Sequence, residues 1–253
     1  KGEGISRIFA FATSAVRNAN NGHSFIKKIK EQTGIEVQVI DGDREAELIY
    51  KGIRLSGCLN SDNALMMDIG GGSVEFIIGN DLEILWKRSF EIGGQRLLDL
   101  FHYHDPILPE EVEKLSNYLS RELTPLIKAI KTYAPQQLVG ASGTFDTLTD
   151  IYLASKGKKK EKKMIRHFLP VAGFKAIASD LLLLDKAKRL KIPGMIPMRV
   201  DMIVVASCLI RFVTEFVSTK SLICSTFSLK EGAVSEAMER VEKIKNTSLT
   251  TTE

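Results

Sequence analysis

An acidic residue followed by three glycines and a serine is the stretch of this sequence best suited to chemistry on phosphate. The run is Met66-Met67-Asp68-Ile69-Gly70-Gly71-Gly72-Ser73-Val74-Glu75. Residues without a Cβ let backbone N–H groups approach an anion closely. Asp68 would repel phosphate directly, but it can face phosphate through hydrated Mg²⁺, which keeps most of its waters. The run therefore indicates a phosphate-binding turn with a divalent cation at its mouth. The alternative is a tight β-turn whose glycines serve geometry alone.

The residues on either side of the glycines predict a strand, a turn and a second strand. An apolar run from Ala64 leads to Asp68, and after the glycines Ser73, Glu75 and Ile77 alternate with Val74, Phe76 and Ile78. That alternation has the period of a β-strand. A dinucleotide-binding loop or a P-loop would instead run from its glycines into a helix. The sequence matches neither of those two motifs.

Composition narrows the class of protein. With 253 residues and 44% hydrophobic content, the chain is long enough for one large or two modest domains. Its net charge of +4 is small, which argues against a nucleic-acid-binding protein. Cys58, Cys208 and Cys224 lack disulfide or zinc spacing, so buried free thiols in the cytoplasm are expected. The longest apolar run, residues 202–210, is too short to span a membrane.

Hydrophobic periodicity and turn residues predict alternating strands and helices. Strands are expected at 5–13, 35–40, 64–68, 73–78, 83–92, 137–141 and 222–226. Helices are expected at 22–33, 93–101, 109–133, 145–154, 174–190 and 197–216, and the helix at 109–133 is expected to kink at Pro125. Two more helices are expected after N-cap residues. One runs from Asp43 to about Ile53, and the other runs from Ser228 to about Lys245. Leucines of the 109–133 helix are assigned to the core or a dimer contact. This order of elements predicts an α/β protein with mixed sheets.

Several segments, taken in order, resemble the exopolyphosphatase/guanosine pentaphosphate phosphatase (Ppx/GppA) family of the actin, sugar kinase and Hsp70 superfamily. The matching segments are Ala12-Thr13-Ser14-Ala15-Val16-Arg17, Ile40-Asp41-Gly42-Asp43-Arg44-Glu45-Ala46, Asp68-Ile69-Gly70-Gly71-Gly72-Ser73, Val139-Gly140-Ala141-Ser142-Gly143-Thr144, Arg199-Val200-Asp201 and Leu229-Lys230-Glu231-Gly232-Ala233. The resemblance covers nearly the whole chain. It implies two actin-like (ribonuclease H-like) domains, with mixed sheets flanked by helices and an active-site cleft between them.

The resemblance also implies a domain division and a departure from the family pattern. Residues 1–61 correspond to the remainder of an N-terminal domain, residues 62–245 to a C-terminal domain and residues 246–253 to a tail. The family's opening hairpin, with its Asp-x-Gly-Ser-Asn phosphate loop, has no match in this chain. We expect that the sequence is part of a longer protein; the alternative, loss of the loop, would place catalysis in doubt.

Roles for individual residues follow from the same resemblance. Glu45 matches the family's catalytic glutamate, which orients or activates the attacking water, and Arg17 would pair with phosphate oxygens in a bidentate fork. Asp68 and Glu75 would hold Mg²⁺. The phosphate would lie on two facing loops, formed by Gly70, Gly71, Gly72 and Ser73 and by Ser142, Gly143 and Thr144.

Each of these residues also has a structural explanation. Glu45 could simply complement a helix dipole, Arg17 could form an ordinary ion pair, and Ser142 to Thr144 could be a plain helix cap. Arg199 and Asp201 are interpreted as an intramolecular pair. Arg44 is expected to add positive charge beside Glu45 and could contact phosphate. The lysine-rich residues 156–163 form a loop that is either merely solvated or steers a polyanion.

The resulting hypothesis is a cytoplasmic, Mg²⁺-dependent exopolyphosphatase that hydrolyses the terminal phosphate of inorganic polyphosphate. The closest alternative is removal of the 5′ γ-phosphate of guanosine pentaphosphate. A non-catalytic sensor of polyphosphate or alarmone, and an ATP-hydrolysing actin-like module, remain as alternatives from other classes. A homodimer is possible, and neither nucleic acid nor membrane is expected as a partner.

Overall fold

The structure is a computed structural model that describes residues 8–161 and 163–249. Its strands are β1 (Ala10–Ala12), β2 (Val37–Val39), β3 (Ala64–Ile69), β4 (Val74–Gly79), β5 (Ile84–Phe90), β6 (Gln137–Ala141), β7 (Arg166–Pro170) and β8 (Ser221–Ser225). Its helices are α1 (Ser14–Arg17), α2 (Gly22–Thr33), α3 (Gly42–Leu55), α4 (Gly94–Phe101), α5 (Pro109–Glu122), α6 (Thr124–Tyr133), α7 (Gly143–Ser155), α8 (Val171–Leu183), α9 (Lys186–Arg189), α10 (Met202–Thr214) and α11 (Leu229–Leu249). A 3₁₀ turn spans Pro197–Arg199.

A six-stranded mixed sheet carries the central part of the site. Its strand order is β5-β4-β3-β6-β8-β7, with β3, β6 and β8 parallel to one another and β4, β5 and β7 antiparallel to their neighbours. Asp68 lies opposite Glu75 on β4 and opposite Ala141 on β6. The carboxyl ends of β3 and β6 therefore meet at one edge, and the loops that follow them lie side by side. The strands β1 and β2 form a separate parallel pair.

Apolar side chains fill both faces of the large sheet. All residues of β3 and β4 are buried, which explains why their sequences are more continuously apolar than a half-exposed strand requires. The predicted core leucines of α5 and α6 are also buried, so they belong to the core (Leu115, Leu119, Leu123 and Leu126, with Ile130). The mixed α/β class is confirmed.

Helices α3 and α11 pack so closely that their backbones touch. A Cβ added at Gly52 would lie 1.9 Å from the Ser228 carbonyl oxygen, and one added at Gly232 would lie 1.8 Å from the Leu48 carbonyl oxygen. Only glycine permits this crossing, because any side chain would collide with backbone atoms that cannot rotate away. The crossing fixes the start of α11 against α3.

The structure corrects several predicted boundaries. The N-cap of α3 is Asp41, whose side chain accepts a hydrogen bond from the Arg44 N–H, so the Asp43 cap was wrong. The helix expected at 109–133 breaks at Leu123 into α5 and α6, and the one expected at 174–190 breaks before an Asp185 cap. Strand β7 was missed because this short edge strand follows the lysine-rich loop and begins with an exposed arginine.

Some expectations reach beyond the described residues. The start of the first predicted strand (residues 5–7), Lys162 and the last residues of the tail (250–253) lie outside them. Helix α11 continues past the predicted end at residue 245, to Leu249. Within the described part of the chain, no helix has the length and apolar character needed to cross a membrane. The division into domains stays a prediction.

Candidate active site

Three buried carboxylates form one group, the carboxylate cluster (Glu45, Asp68 and Glu75). Asp68 and Glu75 face each other across the antiparallel β3–β4 pair, and Glu45 comes from the first turn of α3. They are 7%, 8% and 1% exposed, in chain order. Burial, with the nearby charges of Glu45 and Asp68, raises the pKa of Glu75 to about 8. Burial also raises the pKa of Glu45 and of Asp68. The cluster therefore concentrates negative charge in a poorly solvated place.

Each member of the cluster has a hydrogen-bonding partner. Arg17 Nη1 lies 3.3 Å from Glu45 Oε2 and also donates to the Ile40 carbonyl at 2.7 Å. Ser89 Oγ donates to Glu75 Oε1 at 2.7 Å. The Ser228 hydroxyl donates to Asp68 Oδ2. These contacts fix the direction of each carboxylate without neutralising the cluster, because Arg17 is the only cation among them.

The glycine turn between β3 and β4 directs its carbonyl groups toward the loop before α4. The amides of Gly93, Gly94 and Gln95 donate to the carbonyl oxygens of Gly72, Gly70 and Gly71 at 3.2, 2.8 and 3.0 Å. A Cβ at Gly93 would lie 2.4 Å from Gly71, so the two loops are in backbone contact. Within residues 8–161 and 163–249, the amides of Gly71 and Gly72 donate to no backbone carbonyl. They remain available to an anion.

A second loop presents the start of α7 beside the glycine turn. Ser142 adopts a left-handed backbone conformation (φ 73°) with its side chain close to Asp68, and α7 begins at Gly143. The first amides of a helix have no intrahelical partner and favour negative charge. The Arg199 guanidinium lies over Gly143, since a Cβ there would come within 2.0 Å of Arg199 Nη2. The first amides of α7 and the Arg199 guanidinium therefore lie together at this loop.

The two loops and Arg199 enclose a cavity of about 240 Å³, the loop cavity. Gly70, Gly71, Ser142 and Thr144 line it from the predicted set. Gly72, Ser73 and Gly143 do not line it. The Gly72 carbonyl accepts a hydrogen bond from Arg96, Ser73 is buried beside Glu75, and Gly143 lies under the Arg199 guanidinium. Arg17 instead lines a more open cavity of about 400 Å³, together with Ser89 and Glu91.

Two expectations about arginines were wrong. Arg44 does not lie beside the Glu45 carboxylate; it pairs with Glu236 of α11 and with Glu47 at 3.0 Å. Arg199 was expected to pair with Asp201, but Asp201 pairs with Lys186 at 2.6 Å while Arg199 lines the loop cavity. Both errors have the same cause, because neighbours in sequence were assumed to be neighbours in space. In a helical or turn segment, adjacent side chains point in different directions.

Sequence reasoning also missed functional candidates that lie far from the motifs. Ser228 was expected only as a helix cap, yet its hydroxyl reaches Asp68 across 160 positions of sequence. Ser89 and Glu91 carried no local signal, although Ser89 contacts Glu75 and Glu91 lies 3.5 Å from Arg17 Nη2. Only the strand register of β4 and β5, which pairs Glu75 with Ser89, could have pointed to Ser89.

The carboxylate cluster fits a hydrated cation better than a directly ligated one. Among the described residues, no three His, Cys, Asp or Glu side chains are arranged to hold a metal ion directly. Burial and the repulsion between neighbouring carboxylates nevertheless raise the pKa of Glu45 and of Glu75. A divalent cation would relieve that repulsion. Carboxylate oxygens are the ligands that Mg²⁺ takes, and it commonly keeps several waters.

Comparison with known proteins adds independent evidence. The model of the Ppx/GppA phosphatase family matches residues 1–241. The bifunctional 3-dehydroquinate synthase/phosphatase of Fusobacterium nucleatum is 30% identical over 92% of this chain, which spans 35% of that protein. The guanosine-5′-triphosphate,3′-diphosphate pyrophosphatase of Photobacterium profundum is 27% identical over 93% of this chain, which spans 46% of that protein. The chain thus spans less than half the length of these two relatives.

This chain also resembles a solved structure, and it covers a larger share of that protein than of the two relatives above. The crystal structure of an exopolyphosphatase from Cytophaga hutchinsonii superposes with a TM-score of 0.90 at 46% identity. The match covers 93% of this chain and 76% of the other.

Proposed function

The chain belongs to the Ppx/GppA phosphatase family, and we propose that it is a Mg²⁺-dependent hydrolase that removes the terminal phosphate from inorganic polyphosphate. The family and the actin-like α/β fold expected from the motifs are both confirmed. One observation supports the proposal above others. The loop cavity, with free amides and Arg199, adjoins the carboxylate cluster through the Ser142–Asp68 contact. Phosphoryl transfer needs an anion cradle and a positioned water, and little else from a protein.

In the proposed mechanism, Glu45 holds the attacking water and takes its proton. Its raised pKa brings the carboxylate nearer to neutral pH, where a base is most effective. Arg17 keeps the carboxylate in place through its 3.3 Å contact. Direct contact between Arg17 and phosphate stays a prediction, and the open cavity beside Arg17 leaves room for it.

The terminal phosphate would lie in the loop cavity. The amides of Gly71 and of the first residues of α7 would bind its oxygens, and Arg199 would offset the charge that develops on them. Asp68 and Glu75 would hold Mg²⁺ through water, and the ion would supply charge neutralisation at the phosphate oxygens. Mg²⁺ would also make Glu75 ionised at neutral pH, because a nearby cation favours the charged carboxylate.

Phosphate release from long-chain polyphosphate, with Mg²⁺ and with EDTA, tests this proposal. The parent chain is compared with Glu45→Gln and with Glu47→Gln, a matched control on the same helix whose carboxylate instead pairs with Lys87 at 2.5 Å. We expect Mg²⁺-dependent release that Glu45→Gln abolishes and Glu47→Gln retains. Release that persists in Glu45→Gln would contradict the proposal.

The same experiment separates the alternatives. Hydrolysis of guanosine pentaphosphate is kept as a second candidate because a relative of 27% identity carries that activity in its name. Faster turnover of guanosine pentaphosphate than of polyphosphate would favour it, and faster turnover of ATP would favour the actin-like module. Binding of polyphosphate without any release would favour a sensor. A cytoplasmic location, a homodimer and the lack of nucleic-acid partners stay predictions.

A further inference from the structure

Ser228, the residue before α11, uses all of its polar groups in contacts that fix its position. Its amide donates to Glu231 Oε2 at 3.0 Å, and its carbonyl accepts from the Gly232 N–H at 3.1 Å. Its hydroxyl donates to Asp68 Oδ2 on β3. The first two contacts belong to the start of the helix, and the Glu231 contact is one half of a capping box. The third contact leaves the helix and reaches the carboxylate cluster.

The close crossing of α3 and α11 places Ser228 against the helix that carries Glu45. The Ser228 carbonyl lies on Gly52, where a Cβ would come within 1.9 Å. Glu45 and Gly52 are separated by two helical turns, so they share one face of α3. Ser228 therefore contacts the same face of α3 that carries Glu45, and it also holds Asp68. It is a physical link between two members of the carboxylate cluster.

Asp68 needs such a link because its carboxylate is buried among other acids. A buried carboxylate without a donor loses its hydration and has no fixed direction. The Ser228 hydroxyl donates a hydrogen bond to Asp68 Oδ2 from one side, and Ser142 approaches the same carboxylate from the loop cavity. A hydrogen bond to a carboxylate is stronger than one between neutral groups, so these two donors favour one rotamer of Asp68.

We propose that Ser228 is a positioning residue that aims Asp68 at the cation and keeps that carboxylate in register with Glu45 through the α3–α11 crossing. This inference rests on the proposed function, in which Asp68 holds hydrated Mg²⁺. Partners that orient a metal-binding carboxylate commonly affect metal affinity by about 10- to 100-fold. The inference differs from a plain capping role, because a cap stabilises α11 and leaves metal affinity unchanged.

The test compares Ser228→Ala, which removes the hydroxyl, with Ser228→Thr, which keeps it. Thr226→Val is the matched control, since the Thr226 hydroxyl lies two residues earlier and donates to the Ile165 carbonyl at 3.1 Å. Mn²⁺ binding, followed by electron paramagnetic resonance, is measured on the full chain without substrate. Thermal unfolding is measured on the same samples, and phosphate release from polyphosphate is measured separately.

We expect Ser228→Ala to weaken Mn²⁺ binding about tenfold, while Ser228→Thr and Thr226→Val stay within about threefold of the parent. Unchanged binding in Ser228→Ala, or equal losses in Ser228→Ala and Ser228→Thr, would overturn the inference. A parent chain that binds no Mn²⁺ would also overturn it. A parent that binds Mn²⁺ as expected but releases no phosphate would contradict the proposed function and leave the role of Ser228 intact.

Discussion

The two halves of the site are built in different ways. The loop cavity is lined by glycines and small polar residues of loops at adjacent strand ends, by Arg199 from the 3₁₀ turn and by two apolar residues of α10. The carboxylate cluster consists entirely of side chains, contributed by α3, β3 and β4. The first half is suited to bind negative charge, and the second concentrates negative charge of its own. The second half is therefore suited to bind a cation and to orient a water.

Because the two halves are built differently, we expect them to tolerate side-chain substitutions differently. Backbone amides keep their positions when a side chain is replaced, so the loop cavity should lose affinity gradually. A carboxylate that takes a proton must hold the water at one position, so substitutions in the carboxylate cluster should lower turnover sharply. Substitutions in the two halves should therefore separate binding from catalysis, and the predictions below rely on that separation.

The largest effect is expected from Glu45→Gln. Loss of a general base typically lowers kcat by about 10²- to 10⁴-fold, whereas the amide keeps the shape of the side chain. The substrate KM should change by less than about threefold, because Glu45 is not part of the loop cavity. Steady-state phosphate release gives both constants. A rise in KM with little change in kcat would assign Glu45 to binding and contradict the division of roles between the two halves.

The second prediction concerns the pH dependence of stability. Glu75 has a folded-state pKa of about 8 against 4.5 in its ordinary state, so the folded chain retains a proton that the unfolded chain releases. Stability from this group is complete below about pH 4.5 and is lost as pH rises to about 8. At about 1.4 kcal/mol per pKa unit, the loss is roughly 3 to 5 kcal/mol.

Glu75→Gln should remove most of that loss, since the amide does not ionise. Urea unfolding at pH 5 and pH 8.5 in EDTA measures it, and a smaller decrease with pH is expected for the variant than for the parent. Excess Mg²⁺ at pH 8.5 should restore the parent and have little effect on the variant. Identical pH dependence in the two proteins would show that Glu75 is not the group that retains a proton in the folded chain.

The third prediction perturbs the loop cavity through Gly143→Ala. The new methyl group would lie 2.0 Å from Arg199 Nη2, and the flexible arginine must move away. We expect KM for polyphosphate to rise about tenfold, equivalent to about 1.4 kcal/mol, with a small change in kcat. Gly157→Ala is the contrasting control: Gly157 has open space around it but a left-handed backbone (φ 67°), so only stability should fall.

A substitution outside both halves should have the smallest effect. Arg44→Met removes the pairs with Glu236 and Glu47 and lowers the free energy of unfolding by about 1 kcal/mol. Because the Arg44 pairs lie outside the loop cavity and the carboxylate cluster, kcat and KM should remain those of the parent. Chemical denaturation and phosphate release check the two statements. A changed KM would restore the earlier expectation that Arg44 contacts phosphate.

The same division separates what the sequence could predict from what it could not. The glycine turn was predictable because its strands, its glycines and Asp68 lie within one continuous run. The segment from Ser142 to Thr144 was predictable for the same reason, as a strand end that leads into a helix. Local patterns of period two and of turn residues are sufficient for such units.

Contacts between distant segments were not predictable in this way. Ser228 reaches Asp68 only because Gly52 and Gly232 allow α3 and α11 to cross in backbone contact. Arg199 reaches the loop cavity because the 3₁₀ turn directs it away from Asp201. In each case the direction of a side chain depends on packing between elements, which no local pattern encodes.

Binding and turnover measured together on two variants show whether the two halves of the site act separately. Polyphosphate binding, by isothermal titration calorimetry, and phosphate release are measured on the parent, Glu45→Gln and Arg199→Met, with Arg211→Met as an exposed control on α10. We predict that Glu45→Gln keeps the parent dissociation constant and loses turnover, whereas Arg199→Met weakens binding about tenfold and keeps most of kcat. Variants that lose binding and turnover in equal proportion would contradict a site with two separable halves.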